Sequence, residues 1–251
     1  MTRKAKLLGL AALAILSVGA TVTPAASAAE GLLKRPYWFK SDGSMTTTLT
    51  GTQVGENEFE TDTYVIKCKT ITYSGTMAGE TTTTLTVTPT FNTCSTIGGN
   101  TATVETNGCS YTYHTDEQTG EETSPIIHDW FNAFDTTTTI ECPTTTIDGK
   151  KVTDEIKIKI SNGGVLKCTI DIPEQNAATG ALFKEANMGA LKDISVTNSF
   201  SKITYTETAG TPPNACTEGK DTTNGKYRGS TTFTGDNLAG EPTSIWVDPL
   251  S

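Results

Sequence analysis

The chain holds two histidines, His114 and His128, and they flank an acidic stretch made of Asp116, Glu117, Glu121 and Glu122. Imidazole and carboxylate donors suit zinc or a similar ion. His114, Asp116, His128 and Asp129 are therefore the set that would hold a metal if this stretch folds back on itself. Their spacing matches no ligand signature, and a solvated acidic loop with two surface histidines is the plainer reading. Calcium is the one cofactor kept open: carboxylates are plentiful, although no D-x-[DN]-x-[DN]-G loop is present. No G-x-S-x-G elbow marks a nucleophile. Glu105, Asp129 and Glu141 are candidates for a carboxylate pair in glycoside hydrolysis, but such a pair is defined by its separation in space.

Trp130, Phe131 and Phe134 crowd the end of the same stretch. They form either an apolar platform for a sugar, a peptide or a partner surface, or a plug at one end of the fold. Tyr37, Trp38 and Phe39 raise the same choice, with docking of an early strand as the simpler outcome. The threonine runs Thr81–Thr84 and Thr136–Thr139 read as flat hydroxyl rows, as O-glycan sites or as ordinary solvent-facing strand positions. Lys, Asn, Thr and Gln, the partners of side-chain cross-links, all occur, but no pair is singled out.

The elements that position these residues are strands. Threonine makes up roughly one residue in five of the 251. It is β-branched, stiff at χ1 and suited to a pleated surface. Thr82–Thr88 alternates with Leu85 and Val87 on one face, and Ile156–Ile160 and Val165–Ile170 alternate around Asn162-Gly163-Gly164. Asp148-Gly149 is a hairpin turn signal. Only Ala177–Asn187 offers a helix, with Gly180 weakening it. The pattern is about ten strands with regular turns, hence a single all-β domain, an antiparallel β-sandwich or barrel, over residues 29–251.

Residues 1–28 read as an export signal: Arg3, Lys4 and Lys6, an apolar run from Leu7 to Ala20, then Ala26-Ser27-Ala28. The apolar run is short for a membrane span, and no span is expected in the mature chain. The formal charge of −9 and pI near 4.8, without a basic cluster, argue against nucleic acid as a partner. Six cysteines, Cys68, Cys94, Cys109, Cys142, Cys168 and Cys216, all follow the signal and none forms C-x-x-C, so three disulfides are expected. Of 15 possible pairings, local hairpins favour Cys68–Cys94 and Cys142–Cys168, leaving Cys109–Cys216.

Leu85-Thr86-Val87-Thr88-Pro89-Thr90 before Cys94, Asn107–Tyr113, Cys168–Gln175, Tyr227–Gly235 and Ile245-Trp246-Val247 carry a resemblance. Together they resemble an uncharacterised family of Thr-rich, cysteine-containing exported β-proteins of actinobacteria. The resemblance implies a secreted β fold and no activity. The acidic stretch at 115–135 lies outside the shared pattern. The reading that follows is a secreted, non-enzymatic binding or structural protein, extracellular or cell-wall associated, with cell-wall or other extracellular polysaccharide or protein as partner. The alternative is an extracellular polysaccharide hydrolase with paired carboxylates.

Overall fold

A computed structural model describes residues 37–43, 46–115, 134–186, 190–212, 216 and 220–249. The expected leader, residues 1–28, lies outside them. The described residues form one compact unit from residue 37 onward. No helix among them is long and apolar enough to cross a membrane.

Five long strands make one side of the molecule: β2 (Thr46–Glu60), β3 (Val65–Ala78), β5 (Thr84–Thr96), β14 (Ile194–Ala209) and β15 (Lys220–Asp236). Three short strands, β6 (Thr101–Glu105), β11 (Ile156–Asn162) and β12 (Val165–Ile172), join β5 to β14. Because β14 also pairs with β15, the order β15-β2-β3-β5-β6-β11-β12-β14 closes on itself as an antiparallel barrel. The even count of eight strands is what an all-antiparallel ring requires.

A second path joins the same two strands. β7 (Ser110–His114) pairs with Thr84–Val87 of β5, β8 (Phe134–Glu141) follows, and β13 (Gln175–Glu185) meets Ile194–Asn198 of β14. The other path uses Cys94–Ser95 of β5 and Thr206–Ala209 of β14. The long strands are thus shared, and opposite them two tiers of three short strands stack along the barrel axis. Ala177–Asn187, the one helical option, contributes β13 and is strand through Glu185.

The remaining strands are small. β1 (Tyr37–Ser41) lies between β17 (Ile245–Pro249) and β4 (Thr81–Thr82) as a three-stranded cap, and β16 (Pro242–Thr243) extends β15. β9 (Thr144–Ile147) and β10 (Lys150–Thr153) form an exposed hairpin on Asp148-Gly149, both with positive φ, as this turn type requires. These polar or very short strands raise the total to seventeen among the described residues, above the ten expected.

Period-2 alternation fills the barrel. Leu49, Ile66, Ile71, Leu85, Ile160, Ile170, Val196 and Phe233 point inward and are buried, while their neighbours face out. Phe39 of β1 plugs one end, 5.1 Å edge-on from Phe183, which in turn stands 5.1 Å from Tyr113. Trp38 and Phe39 thereby dock an early strand. The interior retains a void of about 40 Å³ against Phe91, Val104 and Ile140. That is far below the ~300 Å³ at which small-molecule pockets begin, so this barrel is packed rather than cup-like.

Cys68 and Cys94 face each other in register across β3 and β5 and are bonded. The other two bonds join Cys109 to Cys142 and Cys168 to Cys216, which corrects the expected Cys142–Cys168 and Cys109–Cys216. The reason is the two-tier wall. The β9–β10 hairpin is an excursion, so Cys142 ends the β8 tier opposite Cys109, which leads into β7. Cys168 belongs to the other tier, on β12 beside the end of β14, where Cys216 follows. No cysteine is free.

Candidate functional site

Strand register decides which outward side chains become neighbours. On β15, β2, β3 and β5 the outward positions nearest the capped end line up across the sheet. Thr232, Thr52, Thr72 and Thr90 form one row, with Ser195 of β14 at its end. Thr234, Thr50, Ser74 and Thr88 form the next. A third row runs Asp236, Thr48, Thr76, Thr86, Thr112 and Thr139, crossing from the long strands onto β7 and β8.

Every position in the first two rows is Thr or Ser. Six of these residues, Thr50, Thr52, Thr72, Ser74, Thr90 and Thr234, are exposed. Partners across strands share a face, so the hydroxyls repeat at about 4.8 Å along a row and about 6.6 Å along a strand. Threonine has few χ1 states, which pre-orders the array. Thr86 Oγ1 lies 3.0 Å from Thr112 Oγ1 within the third row, and beyond the first row Thr197 Oγ1 lies 3.3 Å from Ser230 Oγ. Thr234 Oγ1 donates to the Thr50 carbonyl at 3.3 Å.

Four ion pairs of the barrel lie away from the first two rows. Lys67 bonds Glu56 at 2.7 Å, Lys226 reaches Glu60 at 3.2 Å, Lys159 meets Glu105 at 2.6 Å and Lys157 meets Asp171 at 3.2 Å. All lie toward the opposite end of the same strands or on the β6-β11-β12 tier. The Glu56 hydrogen bond, chiefly, raises the Lys67 pKa, and the Asp171 bond does the same for Lys157. On β15, β2, β3 and β5 the first two rows therefore offer donors, acceptors and methyl groups without a formal charge; Asp236 lies in the third row and Lys184 stands opposite Ser195 at the far end of the first. The charge-free part suits a neutral, hydroxyl-rich partner.

Of the residues singled out from sequence, Asp116, His128, Asp129, Trp130 and Phe131 lie outside the described residues. His114 closes β7, half-buried, with Nε2 3.2 Å from Thr139 Oγ1. Phe134 opens β8 opposite Phe183 in register. Glu105 is spoken for by Lys159, and Glu141 accepts from Thr139 Oγ1 at 3.0 Å. Glu141 and Glu174 border a surface depression between the tiers, where Glu174 Oε2 accepts the Cys142 N–H at 3.3 Å.

Among the described residues one group has metal-ligand character: Cys168, Cys216 and Glu207, whose donor atoms lie within 4.8 Å of one another. Both sulfurs are in a disulfide. Glu207 is buried and accepts from Thr61 Oγ1 at 3.0 Å and Thr63 Oγ1 at 2.8 Å. Burial, aided by this carboxylate, raises the pKa of Tyr64. Sequence inspection passed over both Glu207 and the rows of Thr50 and Thr52. The Thr/apolar alternation was the available signal for the rows, but only register aligns them. Comparisons of the chain with family models, curated proteins and solved structures return no match.

Proposed function

We propose that this chain is an exported, non-catalytic binding or structural protein of the cell exterior, and that its hydroxyl wall engages a neutral extracellular polysaccharide. The observation that carries the reading is the alignment of Thr and Ser, with no charged residue, in the first two rows across β15, β2, β3 and β5. A polysaccharide presents hydroxyls at a regular repeat, and each threonine can both donate and accept while its methyl group rests on a sugar face. Three disulfides without a free thiol support an oxidising compartment. The resemblance to Thr-rich exported β-proteins points the same way.

The test is co-sedimentation with insoluble neutral polysaccharides. Lysines at two adjacent lattice points, Thr50→Lys with Thr72→Lys, desolvate poorly against a neutral surface and should release the protein. Retention equal to that of the parent chain would remove the wall from consideration.

A further inference from the structure

The three disulfides differ in access. Cys68, Cys94, Cys109, Cys142 and Cys168 are all buried, whereas Cys216, between β14 and β15, is half-exposed. Its partner Cys168 is fully buried on β12. The two Cα atoms are 5.8 Å apart, against 4.0 and 4.1 Å in the other pairs, one across β3 and β5 in register and one just beyond the paired ends of β7 and β8. Beside this one bond lies a buried carboxylate: an oxygen of Glu207 is within 4.8 Å of both sulfurs. Thr61 and Thr63 hold that carboxylate in place from the β2–β3 turn.

Thiol–disulfide exchange needs an approachable sulfur, a leaving sulfur and somewhere for the proton to go. The other two bonds lack an approachable sulfur, since all four of their cysteines are buried. We propose that Cys168–Cys216 is an exchangeable disulfide, at which an external thiol attaches reversibly to Cys216 and Glu207 takes the Cys168 proton when the bond reforms.

In the opening step the external thiolate attacks Cys216 Sγ. A new S–S bond forms, the Cys168–Cys216 bond breaks, and Cys168 leaves with the electron pair. Cys168 then takes up the proton shed by the incoming thiol. In reclosure the Cys168 thiol passes its proton to the Glu207 carboxylate and its sulfur attacks Cys216, expelling the external thiolate. One disulfide is exchanged for another, so no separate oxidant or reductant is consumed. The partner class is a small-molecule thiol or a cysteine thiol of another protein. The barrel keeps its two buried bonds throughout.

The experiment exposes the folded, oxidised protein to reduced glutathione, quenches with an alkylating agent and maps the cysteines by peptide mass spectrometry. Glutathione on Cys216 and alkylation of Cys168, with Cys68–Cys94 and Cys109–Cys142 intact and the far-ultraviolet spectrum unchanged, is the expected result. Opening of either other pair first, glutathione on Cys168, or opening only together with loss of structure would overturn the proposal. Removal of the excess thiol then gives the reclosure rate. Glu207→Gln keeps an acceptor for one of Thr61 and Thr63, and its amide N–H can donate to the other hydroxyl, but it cannot take a proton. It should slow reclosure by about a hundredfold or more, the size typical of a positioned base, while the initial attack on Cys216 keeps its rate. Equal reclosure rates would withdraw Glu207 from the step.

Discussion

Gln175 grips Thr204 at both backbone atoms: its Oε1 accepts the Thr204 N–H at 2.7 Å and its Nε2 donates to the Thr204 carbonyl at 2.9 Å. Thr204 lies on β14 between the stretch that pairs with β13 and the stretch that pairs with β12. At that level neither short strand reaches it, and a side-chain amide stands in for the missing neighbour. The stacked tiers therefore meet without leaving this peptide unpaired.

Gln175→Ala should open that seam. Two hydrogen bonds to a half-buried peptide are lost, and the net cost expected is about 1–3 kcal/mol. Urea unfolding checks it, with the midpoint falling and the slope unchanged. An unchanged midpoint would mean that water replaces the amide at no cost.

Gly229 is required for space. A Cβ there would sit 1.4 Å from Asn57 Oδ1, the atom that accepts the Tyr227 hydroxyl at 2.9 Å. Tyr227 is in turn 2.9 Å from the Tyr73 hydroxyl. Gly229→Ala must push Asn57 aside and break this buried chain, at a cost of about 3 kcal/mol. Thermal unfolding should show a clear drop in Tm, and an unaltered Tm would show the interior to be looser than described.

The same tyrosines set the response to alkali. Burial raises the pKa of Tyr73, Tyr111, Tyr113 and Tyr227 above the usual value of 10.0. Below the unfolded value the folded and unfolded chains bind the same tyrosine protons, and the stability is complete. Above about pH 10 the unfolded chain loses protons that the folded chain keeps, so stability falls as pH rises. Phenolate absorbance on titration should show these four tyrosines silent until the barrel opens in one cooperative step. Their gradual ionisation with the fold intact would contradict the buried arrangement.

Much of the strand and turn pattern was legible in the sequence. Alternation around Leu85 and Val87, and around Ile156, Ile158 and Ile160, marks strands because a pleated chain sends successive side chains to opposite faces. Asp148-Gly149 and Asn162-Gly163-Gly164 mark turns because φ is positive at Asp148, Gly149, Gly163 and Gly164. Cys68–Cys94 was legible because its two strands are sequence neighbours. The pairing of Cys109 with Cys142 was not, since it depends on β7 and β8 forming a tier separate from β11 and β12. The hydroxyl rows are a matter of register as well. Threonines at 50, 72, 88 and 232 look unrelated along the chain and become neighbours only when distant strands pair. Barrel closure itself rests on β14 meeting both β12 and β15, a contact that no local pattern encodes.

The most direct measurement of the account is the bound fraction of the oxidised protein on an insoluble neutral β-glucan, for the parent chain, for Thr50→Lys with Thr72→Lys, and for Lys67→Thr as a control outside the rows. The parent and the control should be retained alike and the double lysine variant should lose at least tenfold in affinity, with all three melting at similar temperatures. Retention of the double variant at the parent level, or failure of the parent to bind any neutral polysaccharide offered, would contradict it.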